Sequence, residues 1–126
     1  MKNIISTKNA PQAIGPYSQA VLVNKTLYLS GQIALTPDKG ELVSDDVKQQ
    51  TEQILKNIEA VLNSAGSSPK DVVKTTVFLT NINDFAVVNE CYAKTFNQNP
   101  PARSCVAVAN LPKGAKVEIE VIAQLD

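Results

Sequence analysis

Between Ser44 and Gly66 the apolar residues recur at helical spacing. Val47, Thr51, Ile54, Ile58, Val61, Leu62 and Ala65 fall on one stripe, while Lys48, Gln49, Glu52, Lys56 and Glu59 fall on the other face. A helix apolar along a single stripe has to lay that stripe on another layer, so the chain folds as layers rather than as an isolated helix. Ser44 is the expected cap, with Asp45 and Asp46 in the first turn, where negative charge suits the helix dipole, and Gly66 ends the element near Ala65.

The covering layer is β. Residues 1–17 contain Pro11, Gly15 and Pro16, which predicts a short edge strand followed by an irregular loop. Ser18 to Val23 and Thr26 to Ile33 are β-rich runs broken by Asn24-Lys25, a spacing that suits a tight hairpin because asparagine tolerates positive φ. Gly31 inside the second run marks a bulge or a close approach to the backbone. Thr36 to Gly40 reads as a turn, Pro69 opens the next element, and Val72 to Thr80 reads as a strand. A second helix starts at Asn83 or Asp84 with Phe85, Val88, Tyr92 and Phe96 on one face, and Asn99-Pro100-Pro101 breaks it.

Two strands follow, Ser104 to Ala109 and Lys116 to Gln124, joined by a turn at Leu111 to Gly114 and read as a hairpin. The last one alternates Val117, Ile119, Val121 and Ala123 against Glu118, Glu120, Ile122 and Gln124. The order β-β-β-α-β-α-β-β predicts an α+β fold, a mixed sheet with two helices packed on one face. Val21, Val23, Leu27, Leu29, Val106 and Val108 make a wholly polar opposite face improbable, so a symmetric oligomer with packed sheets is expected.

Composition removes whole classes of chemistry. Twelve basic and twelve acidic residues cancel, which argues against nucleic acid held by phosphate neutralisation. The apolar stretches fall far short of the roughly 20 residues of a membrane span, and the start lacks the pattern of a signal peptide. One domain over 1–126, in the cytoplasm, is the expectation. Histidine is absent, which excludes Ser-His and Cys-His nucleophile pairs. Cys91 and Cys105 read as reduced thiols, and two cysteines alone make a poor zinc site, so no metal is expected.

Arginine occurs once, at Arg103 in Pro-Pro-Ala-Arg-Ser-Cys-Val, while all other basic residues are lysine. Its planar fork can clamp an anion bidentately, or it can make an ordinary salt bridge; composition leaves both open. Cys105 lies two residues on and shares its side of an extended strand, and Glu118 and Glu120 share a face of the next one. A guanidinium, a thiol and a carboxylate could thus converge at one end of the sheet. A solvated strand face is the more ordinary reading of the glutamates, and core packing the more ordinary one for a free cysteine. Gly15-Pro16-Tyr17 presents an aromatic hydroxyl, and Ser30-Gly31 a hydroxyl beside an accessible N–H. Asn89 falls on the inward side of the second helix, as a network residue or a ligand contact.

Seven segments occur together in this order: Ala13-Ile14-Gly15-Pro16-Tyr17-Ser18-Gln19, Ser30-Gly31-Gln32-Ile33, Val73 to Leu79, Asp84-Phe85 with Val88-Asn89, Pro101 to Val106, Leu111-Pro112-Lys113 and Val117 to Glu120. The set resembles the reactive intermediate deaminase (Rid, YjgF-type) family in its RidA branch, across essentially the whole chain. The resemblance implies a homotrimer of chorismate-mutase-like fold, with a barrel-like core of sheets and clefts between subunits. It implies hydrolysis of 2-imino acids such as 2-iminobutanoate, 2-iminopropanoate and its enamine tautomer 2-aminoacrylate, yielding 2-oxo acids and ammonia. Pyridoxal phosphate would belong to the enzymes that release these intermediates, and no cofactor is implied here. By the same resemblance Arg103 clamps the substrate carboxylate and Glu118 orients or activates water. Cys105 lines the pocket, and Tyr17, Ser30, Gly31 and Asn89 occupy other cleft positions. A second reading stays open: a non-catalytic regulator that senses small 2-oxo acids through the same arginine.

Overall fold

A computed structural model describes residues 1–126. Six strands form one mixed sheet: β1 (Lys2–Ile5), β2 (Ala20–Val23), β3 (Thr26–Gln32), β4 (Val72–Leu79), β5 (Ala102–Ala107) and β6 (Val117–Gln124). Two helices, α1 (Val47–Ser64) and α2 (Phe85–Thr95), accompany it. The spatial order is β1-β2-β3-β6-β4-β5. The hairpin between β2 and β3 turns on Asn24 and Lys25, both at positive φ, as a two-residue hairpin turn needs.

The helices cover one face. On β6, Val117, Ile119, Val121 and Ala123 are 0–1% exposed and pack beneath them. Leu27 and Leu29 of β3 join this core, so the expectation that they furnish the opposite face is wrong. The hairpin pairing sets their side: Leu29 stands opposite Ala20, whereas Tyr28 stands opposite Val21 and faces outward with it. The α1 stripe forms as its periodicity predicts, and α1 packs on β3, β6 and α2. Its cap is Asp46, whose carboxylate accepts from Gln49 N at 2.9 Å; Ser44 instead accepts from Asp46 N at 3.1 Å.

Buried amides stitch the layers. Gln50 Nε2 donates to Ser44 O and its Oε1 accepts from Lys116 N, while Asn57 Nδ2 donates to Leu35 O. These bonds satisfy polar groups that burial would otherwise penalise by about 1–3 kcal/mol each.

The C-terminal hairpin is the main correction. β5 does not pair with β6; it runs parallel to β4 at the edge of the sheet, and β4 lies between them. β5 also begins two residues earlier than expected, so Arg103 lies inside the strand.

Candidate active site

The bulge in β3 builds the first half of the site. Leu29 pairs with Val121 and Gln32 with Ile119, so Ser30 and Gly31 together oppose Glu120. The missing side chain at Gly31 leaves room for Glu118: a Cβ there would stand 2.8 Å from Glu118 Oε2. The carboxylate therefore rests against the Gly31 backbone, in a cleft of about 560 Å³ that also meets Ile14, Tyr17, Ser30 and Lys113. Half-burial raises the proton affinity of Glu118, and the neighbouring charge of Glu120 raises it further. Tyr17 is 54% exposed at the rim. Ser30 gives its hydroxyl proton to Ser18 O at 2.6 Å and its N–H to Gln19 O at 3.0 Å. Its donors thus tie down the loop before β2 instead of standing free for a ligand.

The second half is built around Arg103. Its guanidinium lies over the rings of Tyr92 and Phe85, 4.8 and 5.4 Å from their centroids, and Nη1 donates to Asn89 Oδ1 at 2.8 Å. Tyr92 is itself held by a 2.7 Å bond between its hydroxyl and Thr75 Oγ1. Neutral groups thus orient the arginine, and its charge is left for an anion. Asn89 is exposed rather than turned inward, because it flanks the buried Val88, Cys91 and Tyr92 stripe of α2 and reaches Arg103 across the helix edge. A cleft of about 390 Å³ opens here, with Pro100 and Pro101 on its wall. Cys105 packs against the core, and burial pushes its thiol up despite the opposing influence of Arg103. Such a thiol stays protonated at neutral pH and makes a poor nucleophile.

The two halves do not converge within one chain. Residues in register on neighbouring strands share a face, and Arg103, Thr75 and Val121 are in register on the helix side. Val106, Phe78 and Glu118 are in register on the opposite side. The expected meeting of Arg103 and Cys105 with Glu118 at one end of the sheet is therefore wrong for a single chain, because β4 separates β5 from β6 and the pleat sends their side chains apart. Two buried cleft residues, Gln19 and Gln32, had no role in the sequence reading. Their only signal is a polar amide placed at either end of an apolar strand pair.

Residues 7–125 match the family model for endoribonuclease L-PSP. A human protein named 2-iminobutanoate/2-iminopropanoate deaminase is 53% identical, covering 98% of this chain and 90% of its own. A Lactococcus lactis protein named as a proposed regulator, AldR, is 54% identical over 97% of both chains. Among solved structures, Escherichia coli TdcF with bound serine superposes with a TM-score of 0.94 at 46% identity, covering 98% of this chain and 99% of that one. Full-length similarity at this level, with the same strand and helix order, places the chain in the endoribonuclease L-PSP family, the YjgF/RidA family.

Proposed function

We propose that this protein is a 2-iminobutanoate/2-iminopropanoate deaminase, a hydrolase that converts small 2-imino acids to 2-oxo acids and ammonia. The observation that carries the reading is Glu118, a half-buried carboxylate of raised proton affinity seated in an open cleft against Gly31. The name of the human relative gives the substrate class.

The site completes itself between copies. Arg103 sits on the free edge strand β5, and the sheet face bearing Glu118 has no helix over it. That face exposes Ile4, Tyr28 and Val106, by 56, 48 and 44%. A homotrimer that packs these faces together would bring Arg103 of one copy to the Glu118 cleft of the next.

The chemistry then follows. Arg103 holds the substrate carboxylate bidentately. Glu118 takes a proton from a water as its oxygen attacks C2 of the protonated imine, and the C=N electron pair moves to nitrogen. The resulting carbinolamine gains a proton on nitrogen, the C–N bond breaks, and ammonia leaves as the hydroxyl gives up its proton to form the 2-oxo acid. The imine carbon is already electrophilic, so positioning and one modest proton acceptor suffice. We place this activity in the cytoplasm, in keeping with two unpaired cysteines.

The assay generates 2-iminobutanoate with a threonine dehydratase and follows 2-oxobutanoate release with and without the protein. Acceleration is expected, and its absence overturns the reading. The Lactococcus relative favours one alternative, a regulator that binds 2-oxo acids without turnover. A protein that binds 2-oxobutanoate and leaves the imine untouched would establish it. Nuclease activity, which the family name carries, fits poorly with a net charge of zero.

A further inference from the structure

The sheet face that no helix covers is apolar at its margins and charged at its centre. Ile4, Tyr28 and Val106 are exposed on it, and Lys74 and Glu120 share it with them. The pairing of β4 with β6 sets their place: Lys74 stands opposite Ile122 and Thr76 opposite Glu120, on the side of Phe78 and Glu118. A hollow of about 240 Å³ opens there, with Tyr28, Lys74, Glu120 and Ile122 on its wall. Within one chain the two charges stay apart. Lys74 Nζ donates to Ser104 Oγ at 3.1 Å. Ser104 is on β5 and Glu120 on β6, on either side of β4, so this bond draws the ammonium toward the β5 edge and away from the carboxylate. A hydroxyl leaves the lysine charge uncompensated, and Glu120 is exposed. Both are tolerable in water. Against an apolar neighbour each would lose its hydration with nothing in return, and an unpaired buried charge destabilises the interface that holds it.

We propose that this face docks a second copy of the chain through an ion pair between Lys74 of one subunit and Glu120 of the next. One cation and one anion per copy match in number around a closed ring. The direction fits as well: the ammonium leans toward the β5 edge, which carries Arg103, and Glu120 lies two residues from Glu118 on β6. The packing that carries Arg103 to the neighbouring Glu118 therefore carries Lys74 toward the neighbouring Glu120. The apolar margin supplies attraction in many arrangements. The pair selects one of them, because a shifted register would set like charges together or bury each alone. The inference rests on the homotrimer of the proposed function and names what specifies it.

Charge reversal provides the test. Lys74→Glu and Glu120→Lys are made singly and together, and their masses in solution are measured by light scattering beside the wild type, with circular dichroism to check folding. Each single variant should lose the trimer and run as a folded monomer where the wild type is trimeric, and the double reversal should restore it. Single variants that stay trimeric, or a double variant no better than the singles, overturn the proposal. Should a reversal fail to fold, Lys74→Met and Glu120→Gln carry the test. Each alone should raise the dissociation constant of the trimer roughly tenfold or more, and the two together should weaken it less than the singles combined, because no unpaired charge is then left at the interface. Strictly additive weakening overturns the pairing. A monomeric wild type removes the trimer reading and this inference together and leaves the face to another partner, whereas a trimeric wild type in which the two positions act independently removes only the inference.

Discussion

The two faces of β6 divide the labour of the molecule one residue at a time. Val117, Ile119, Val121 and Ala123 are sealed beneath the helices, while Glu118, Glu120, Ile122 and Gln124 point to the side no helix covers. The covered face can be altered only at the cost of folding. The open face is free to hold a carboxylate, and in the proposed trimer a neighbouring copy would complete it. Arg103 belongs to the covered side by register but escapes burial because β5 is an edge strand with α2 lying across its flank. The lesson is that pleating separates stability from chemistry, and that the same pleat keeps Arg103 and Glu118 on opposite faces of one chain.

The sharpest contrast is between neighbours on opposite faces. Ile119→Ala should cost about 2–5 kcal/mol of folding stability by opening a cavity in the core. Ile122→Ala, on the open face, should leave the subunit folded and loosen the assembly, as light scattering or sedimentation would show. Equal destabilisation in both would break the comparison.

Next comes the split site. Arg103→Lys and Glu118→Gln should each lower kcat/KM by roughly a hundredfold or more with the oligomer intact, since a lysine cannot reproduce the fork and an amide cannot accept the water proton. Mixed by unfolding and refolding together, the two variants should recover roughly a quarter of wild-type activity by random assortment, because some clefts then pair an intact arginine with an intact glutamate. No recovery would mean that both residues serve one cleft from one chain.

A smaller effect tests the bulge. Gly31→Ala places a methyl against the Glu118 carboxylate, the flexible end of a side chain, so the fold should yield easily while the carboxylate moves. Activity should drop roughly tenfold to a hundredfold with little change in Tm. Lost stability with normal activity would reverse the assignment.

The smallest is a pH effect. Burial raises Glu118 above the ordinary carboxylate range, so the folded state binds its proton more tightly than the unfolded chain does. Stability should therefore decline as pH rises from the ordinary value through the raised one, while activity, which needs the ionised form, rises through the raised value. Glu118→Gln should flatten the stability profile across that window, measured by Tm against pH.

Much of this was legible in the residues. The α1 stripe, the Asn24-Lys25 turn, the bulge at Gly31 and the alternation along β6 are local periodicities, and local backbone geometry obeys them. Where the reading failed, the cause was non-local. The short turn at Leu111 to Gly114 suggested a β5–β6 hairpin, but β4 pairs in parallel with β5 and takes the place beside β6. Asn89 looked inward because it falls four residues after Phe85 and three before Tyr92, while the helix turns it to the edge where Arg103 can use it.

By itself the sequence determined the elements, their apolar faces and the residue types able to handle an imine without histidine, because each depends on side chains a few positions apart. Only the tertiary structure decided which strand lies beside which, and that Glu118 rests on Gly31 while Arg103 faces the other way. Those outcomes depend on strand order and register, which bring together residues far apart in the chain and leave no periodic trace within it.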